Sequence, residues 1–296
     1  MYVYFDIGGT KTRVSISHDG KEFVSPKKFD TPKDLNLLLT TIRNVAHELG
    51  GDAPIEALGG GIACPVNRTG GTVTLCPAPH LPQEWFVQSF VDECTSFFGV
   101  PVYLDNDTAV IGLGEAVHGA GRGHEVVAYM TVSTGIGGAR IVRERIESIG
   151  ISTEPGRQYI DFDRSAFPTC ERATIEGYAS GTATERRFGM KPYEVHDPAV
   201  WEELARWCAY MLNNTIVHWS PDAVVLGGSM ITGDPAIPVA RISEHLRSIL
   251  SYPRVPEIKQ AGLGDFGGLY GAMELVQQRH TDAVRCKSCT CRGNER

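Results

Sequence analysis

The sequence predicts an α/β fold of two lobes or one large α/β domain, and three observations carry that reading. At 296 residues the chain is too long for one ordinary compact core. A strand, a glycine hairpin and a returning strand occur twice, at DIGGTKT from Asp6 and at STGIGGA from Ser133. Apolar strands alternate with helical segments along the rest of the chain.

Composition narrows the class. Hydrophobic content of 42% and charged content of 21% are those of a globular protein. The 33 glycines gather at strand ends and form no low-complexity tract. A net charge of −7 argues against a nucleic-acid surface, which usually carries a basic stripe. No signal peptide is read at the N-terminus, and no apolar run approaches the roughly 20 residues a membrane helix needs. Cys64, Cys76, Cys94, Cys170 and Cys208 are scattered, which reads as reduced thiols and a cytoplasmic location.

In chain order, Met1 to Ile7 is a strand that breaks at Gly8-Gly9-Thr10 and resumes over Val14 to Ser17. The tip lacks Walker spacing and no helix follows it. Glycines there admit a phosphate close to the backbone, but an ordinary β-turn explains them equally well. Asp34 to Leu49 is helical, with Leu35, Leu38, Leu39, Ile42, Val45 and Ala46 on one face. Ile55 to Cys64 is a strand, and a Pro-rich loop with His80 precedes a helix over Phe86 to Phe98. Val100 to Leu104 is a strand ending in Asp105-Asn106-Asp107, and a small-residue helix follows from Thr108 to Val117. Val126 to Val132 is a strand running into Ser-Thr-Gly-Ile-Gly-Gly, with its hairpin completed by Ala139 to Val142. Helices are expected over Ile175 to Arg187, Pro198 to Trp219, Pro238 to Leu250 and Leu269 to Arg279, and Ala223 to Leu226 is a strand opening into Gly227-Gly228.

A carboxylate at one strand end and a hydroxyl-bearing glycine loop at another suit phosphoryl transfer. The first orients a hydroxyl, and the second offers N–H groups to phosphate. From spacing alone Asp107 is as well explained as a helix N-cap.

Two glycine hairpins with an Asn-Asp at a strand end between them resemble the actin/hexokinase-like (ribonuclease H-like) fold, with two lobes and a nucleotide/sugar cleft between them. Within it the chain resembles the ROK family of sugar kinases and sugar-responsive repressors. DIGGTKTRVSI is similar to its first phosphate motif, LDNDTAVIGLGEAVHGAGRG to its sugar-proximal segment and MTVSTGIGGARI to its second phosphate motif. PDAVVLGGSMI is similar to its adenosine-side motif and GLGDFGGLYGAMEL to its closing segment.

The resemblance implies an enzyme that binds Mg-ATP and a sugar. Asp107 takes the place of the residue accepting the proton of the attacking hydroxyl, with Asn106 on the sugar beside it. Asp6 looks like the residue that holds Mg²⁺ through water. Gly8, Gly9, Thr10, Lys11, Thr134, Gly135 and Gly137 look like phosphate contacts, and Gly227 and Gly228 like adenosine-side glycines. Glu154, Arg157, Glu176 and His80 fall at sugar-side positions. The resemblance also implies a homodimer, a small lobe of residues 1–108 plus 265–283, a large lobe of 109–264 and a flexible Cys-containing tail of 284–296, with hinges near Thr108 and Gly264.

The chain departs from the family near the sugar. The family's E-x-G-H turn reads Glu154-Pro155-Gly156-Arg157, and the three Cys positions of its structural zinc read Phe167, Thr169 and Thr174. With all four ligands replaced, no structural zinc is expected there. Arg157 has donors only and cannot copy a neutral imidazole, so pairing with Glu154, contact with a differently substituted sugar and solvation all stay open. Ala109 stands where the family has a second Asn, and His80 where it often has an Asn. In the tail, Cys286, Cys289 and Cys291 with His280 allow a Cys₃His site, against the reading of a mobile basic end. A glucokinase-like hexose kinase acting on the 6-hydroxyl leads, with an N-acetylmannosamine or N-acetylglucosamine kinase as runner-up. A silent sugar-binding protein rests only on Arg157. A repressor of the family carries a helix-turn-helix before the first phosphate motif, where this sequence begins.

Overall fold

A computed structural model describes the backbone of residues 1–68, 74–78, 80–87, 89–147, 150–166 and 173–290, with side chains as far as residue 283. The chain forms two compact units, one of Met1–Gly114, Ser148–Ser152 and Asp265–Arg296 and one of Glu115–Glu147 and Thr153–Gly264.

The first unit begins with β1 (Tyr2–Ile7), β2 (Lys11–Ser17), β3 (Lys27–Asp30), α1 (Leu35–Gly50) and β4 (Ala57–Ile62). It continues with β5 (Val66–Arg68), β6 (Thr74–Leu75), α2 (Phe90–Phe98), β7 (Val102–Asn106) and the start of α3 (Asp107–Val117). The second unit holds β8 (Val126–Val132), β9 (Ile136–Val142) and β10 (Arg145–Ile146), and the chain then lends β11 (Gly150–Ile151) to the first. Then come α4 (Ile175–Ala179), α5 (Gly181–Phe188), α6 (Pro198–Trp219), β12 (Ala223–Gly227), α7 (Ser229–Thr232), α8 (Val239–Ile249) and β13 (Glu257–Gln260). The first unit closes with α9 (Gly267–Thr290).

Each unit carries a five-stranded sheet of the same design, in the order β3-β2-β1-β4-β7 and β10-β9-β8-β12-β13. A glycine hairpin pairs antiparallel in each, β1 with β2 and β8 with β9. Parallel strands follow, β1-β4-β7 and β8-β12-β13. Parallel strands covered on both faces should be apolar throughout, and β4 and β12 are buried at every position. A small sheet, β11-β5-β6, completes the first unit.

The helices follow their local chemistry. Leu38, Leu39, Ile42 and Ala46 bury the inner face of α1, and the Asp34 carboxylate caps it by accepting the Leu37 N–H at 2.7 Å. Helix α6 opens with Pro198 behind the Asp197 cap and buries Leu204, Cys208, Met211 and Leu212 in the core that also holds Val224 and Leu226. Burial pushes the thiols of Cys94 and Cys208 up to about 12, and both are free. No described helix is long and apolar enough to cross a membrane.

Several boundaries differ from those the sequence predicts. The helix expected over Phe86 to Phe98 is a 3₁₀ turn at Gln83–Phe86 followed by α2, because Ser89 caps a new helix by accepting the Asp92 N–H. The helix expected from Ile175 breaks at Ser180, which adopts extended backbone and caps α5 through the Ala183 N–H at 3.1 Å. The last helix continues past Arg279 to Thr290. Strand β7 extends through Asn106, so Asp105 and Asn106 are sheet residues, and the edge strands β3 and β13 carry no predicted counterpart.

Candidate active site

In the first unit the sheet register lines up the predicted residues. Asp6, Gly61 and Asp105 lie side by side on β1, β4 and β7, and Ile7, Ile62 and Asn106 form the next row. These strands are parallel, so their carboxyl ends open at one edge, where open α/β sheets bind ligands. There the chain continues into Gly8-Gly9, Ala63-Cys64 and Asp107. Gly61 is required at this crossing, since a Cβ on it would stand 2.8 Å from the Asp107 Cα.

The cap of α3 is supplied by the residue before Asp107. Asn106 is the cap: its side-chain oxygen accepts the Ala109 N–H at 3.2 Å. Its amide donates to the Cys64 carbonyl at 3.0 Å and to Asp107 Oδ1 at 3.1 Å. Asp107 is the first residue of α3, and its Oδ1 also accepts the Thr108 N–H at 2.7 Å. The half-buried Asp107 carboxylate is therefore oriented by its neighbours, and the favourable field of a helix N-terminus acts on it.

The first glycine hairpin is shaped by a residue that sequence inspection passed over. Thr31 donates its hydroxyl to the Gly8 carbonyl at 2.8 Å, its own N–H goes to the Thr10 carbonyl, and Gly8 N–H closes the turn onto the Lys11 carbonyl at 2.9 Å. The Lys11 ammonium instead pairs with Asp30 at 2.5 Å in an exposed position. His80 hydrogen-bonds the Ala63 carbonyl, and its ring would lie 3.0 Å from a Cβ on Gly9. Asp6 pairs with Arg13, its register partner, at 3.4 Å, and Arg13 also reaches Asp265 at 3.0 Å. Burial pushes the Asp6 carboxyl above the usual carboxylate range, Arg13 opposes that, and Asp265 adds to it.

The second unit repeats the arrangement. Val132 ends β8, the Ser133 N–H closes a turn onto the Gly135 carbonyl at 2.8 Å, and β9 returns. The carbonyls of Ser133 and Thr134 accept the N–H groups of Gly181 and Thr182 at the start of α5. Ser133 Oγ lies 3.0 Å from Ser229 Oγ, so the loop meets the end of β12. Gly228 has φ +88, and a side chain on it would run into the Val132 carbonyl. Thr134, Gly135, Gly137, Gly227 and Gly228 thus share one edge of the second sheet. Glu176, on α4, is bound into that loop through the Ile136 N–H at 2.9 Å.

Glu154 and Arg157 form an ion pair at 3.4 Å with the guanidinium 62% exposed, so pairing with Glu154 and solvation coexist. Burial raises the Glu154 carboxyl above its ordinary range, Arg157 lowers it and the Glu176 charge raises it further. Of the replaced zinc positions, Thr174 caps α4 by accepting the Gly177 N–H at 3.4 Å, and Phe167 and Thr169 lie outside the described residues. His280 packs between Tyr2 and Tyr103, with its Nδ1 3.2 Å from the Tyr103 hydroxyl. The side chains of Cys286, Cys289 and Cys291 lie outside the described ones.

Among the described residues, Asp105 and Glu115 are buried carboxylates to which the sequence reading gives no role. Asp105, fully buried, is bound by Arg68 and Arg279. Glu115, 1% exposed, accepts the N–H groups of Ala120, Gly262 and Leu263 at 2.8–3.1 Å and so fixes the loop before Gly264. Neither has a spacing signal, because the two arginines of Asp105 and the Gly262 and Leu263 amides of Glu115 are far from them in sequence.

These features define an actin/hexokinase-like α/β protein with a glycine hairpin in each sheet. Residues 2–279 match the ROK family, and the chain belongs to it. It is 25% identical to a glucokinase of Streptomyces coelicolor, over 92% of this chain and 96% of that one. It is 26% identical to an N-acetyl-D-glucosamine kinase of Yersinia enterocolitica, over 93% and 99%. Among solved structures, a ROK family glucokinase from Streptomyces griseus, in complex with glucose and AMPPNP, superposes with a TM-score of 0.74 at 25% identity, covering 94% of this chain and 99% of that one.

Proposed function

We propose that the chain is an ATP-dependent sugar kinase that transfers the γ-phosphoryl group to a hexose hydroxyl, glucokinase-like at the 6-position. The observation that carries this is the Asn106–Asp107 pair at the same sheet edge as the Gly8–Gly9 tip, with Asp107 held by an Asn106 amide at 3.1 Å.

Asp107 accepts the proton of the sugar hydroxyl as its oxygen attacks the γ-phosphorus, and the bond to the β–γ bridging oxygen breaks to release ADP. General-base action of this kind is worth about 10²–10⁴ in rate. Asn106 spends its oxygen on the helix and its amide on Cys64 and Asp107, so its principal task is to aim the carboxylate. Gly9, Thr10, Thr134, Gly135 and Gly137 offer backbone N–H groups and hydroxyls to the phosphates, Gly8 closes the turn that carries the first tip through its N–H, and Gly227 and Gly228 lie on the adenosine side. Lys11 acts from Asp30 and reaches phosphate only by leaving it. Mg²⁺ is usually held by one or two carboxylates plus substrate phosphates, and Asp6, with Asp265 across Arg13, supplies carboxylates of that kind. When bound, the ion neutralises charge developing on the phosphates. Glu154 and Glu176 accept sugar hydroxyls, Arg157 pairs with Glu154, and His80 is assigned to the sugar as well.

An N-acetylhexosamine is the second substrate reading, favoured by a Yersinia relative as similar as the Streptomyces glucokinase. ADP release from Mg-ATP against neutral and N-acetylated hexoses, wild type beside Asp107→Asn, separates the readings. Sugar-dependent turnover that collapses in the variant supports a kinase and names the sugar. Sugar that raises the melting temperature without turnover leaves a silent binder.

A further inference from the structure

We infer that Asp105 is a positioning residue for Asp107, working through a buried charge node that it forms with Arg68 and Arg279. The inference rests on the kinase reading for its rate consequence, while the geometry stands without it.

Asp105 accepts hydrogen bonds on every side. Arg68 grips both of its oxygens with a two-pronged contact, the Nε–Oδ2 distance being 3.0 Å. Arg279, from α9, donates Nη2 to Oδ2 at 2.6 Å and Nη1 to the Leu104 carbonyl at 2.9 Å. The Asn106 N–H takes Oδ1 at 2.7 Å. A carboxylate has about four lone-pair directions, and these donors fill them. Such forked contacts fix a plane as well as a distance, so the peptide joining Asp105 to Asn106 is held in orientation.

That peptide is where the node meets the chemistry. Asn106 N–H belongs to the node, and Asn106 Nδ2 sets Asp107 Oδ1. A chain of contacts therefore runs from the arginines through Asp105 and Asn106 to the carboxylate that takes the proton. The node also gathers a third segment: Arg68 Nη2 lies 3.4 Å from Ser152 Oγ, two residues before Glu154. Ser152 Oγ in turn accepts the Val66 N–H at 3.0 Å. A buried carboxylate between two guanidiniums is a costly device for stability alone, because well-packed apolar residues do as well. Its orientation of the strand end that bears Asn106 and Asp107 gives it a use.

The test compares Asp105→Asn, Arg279→Gln and Arg279→Lys with wild type, by steady-state kinetics with Mg-ATP and whichever hexose the ADP-release panel selects and by hydrogen exchange of the backbone amides. Asp105→Asn and Arg279→Gln should lower kcat by about tenfold to a hundredfold, as misplacement of a reacting group does. KM for ATP should stay within about twofold, because the phosphate loops keep their geometry. Arg279→Lys should recover part of kcat. Exchange should quicken at Asn106 and Ala109 ahead of the rest of the first unit. If Asp105→Asn does not fold, Arg279→Gln decides, since Asp105 there keeps the Arg68 fork. Uniformly faster exchange with unchanged kcat would mean a merely structural node and overturn the inference. Should wild type turn over no sugar, the kinase reading fails on its own, and local exchange at Asn106 and Ala109 still decides whether the node positions them.

Discussion

Glu176 Oε2 accepts the Ile136 N–H at 2.9 Å, which ties the start of α4 to the second glycine loop. Gly135 lets it in, because a Cβ there would stand 2.8 Å from the same oxygen. One side chain assigned to the sugar is thereby a structural member of the loop assigned to phosphate. Glu176→Ala removes a hydrogen bond to a charged acceptor, worth about 1.5–3 kcal/mol, and Glu176→Gln keeps an acceptor oxygen. AMPPNP affinity, measured by calorimetry, should fall roughly tenfold or more in the alanine variant and less in the glutamine variant. Weaker sugar binding with unchanged AMPPNP affinity would confine Glu176 to the sugar.

Arg157 opposes the burial that raises the Glu154 carboxyl. Burial raises that carboxyl and the guanidinium opposes it, so Arg157→Ala should raise it further. If ionised Glu154 accepts a sugar hydroxyl, the acid limb of kcat/KM moves to higher pH in the variant. The stability consequence has a definite sign. A folded carboxyl raised above its ordinary 4.5 makes stability fall as pH rises through the unfolded and then the folded value. Glu154→Gln abolishes that fall, so its melting temperature should gain on wild type at neutral pH but not near pH 3, below both values. An acid limb that does not move in Arg157→Ala leaves the pair without functional weight.

The described part of the segment before α4 carries a hydrogen-bond hub. Asp161, 7% exposed, accepts the Tyr178 hydroxyl, the Ser165 hydroxyl at 3.3 Å and the Ala166 N–H at 3.2 Å. The Tyr178 ring packs on Trp207 with centroids 4.9 Å apart. Tyr178→Phe keeps that packing and removes one donor from a buried carboxylate, at a cost of about 1–3 kcal/mol. The melting temperature should drop by roughly 2–4 °C for each kcal/mol, and a chelator should leave wild type unmoved. A chelator-sensitive transition would place a metal in this region.

The sequence made the sheet edges legible and left their supports hidden. Glycine-bearing strand ends carry a local signal, and the doubled hairpin was readable because its hydrogen bonds join near neighbours. Asp105 with Arg279 spans 174 positions, and Thr31 reaches Gly8 across 23, with no periodicity to mark either. Asp105 looked like one of three polar residues ending a strand, when β7 runs through it. Ser180 shows the same limit on a small scale. The apolar rhythm continues across it, and only its side-chain bond to the Ala183 N–H reveals that one helix stops there and another starts.

The close approach of Gly61 to Asp107 tests how much the reaction depends on carboxylate placement. Gly61 lies in β4 between Asp6 and Asp105, and a methyl group on it would press on the Asp107 backbone. The strand cannot retreat easily, because β1 and β7 hold it on both sides. The first turn of α3 must therefore give way, and Asp107 moves with it. Overpacking of this kind costs about 1–3 kcal/mol in stability, so Gly61→Ala should remain folded at assay temperature. A displacement near 1 Å costs roughly a hundredfold in rate, and kcat should fall toward that value. Affinity for AMPPNP should change little, since Gly8, Gly9 and the whole second loop are untouched. Full kcat in a folded Gly61→Ala protein would show that the proton acceptor tolerates movement, and would weaken the case for Asp107 as that acceptor.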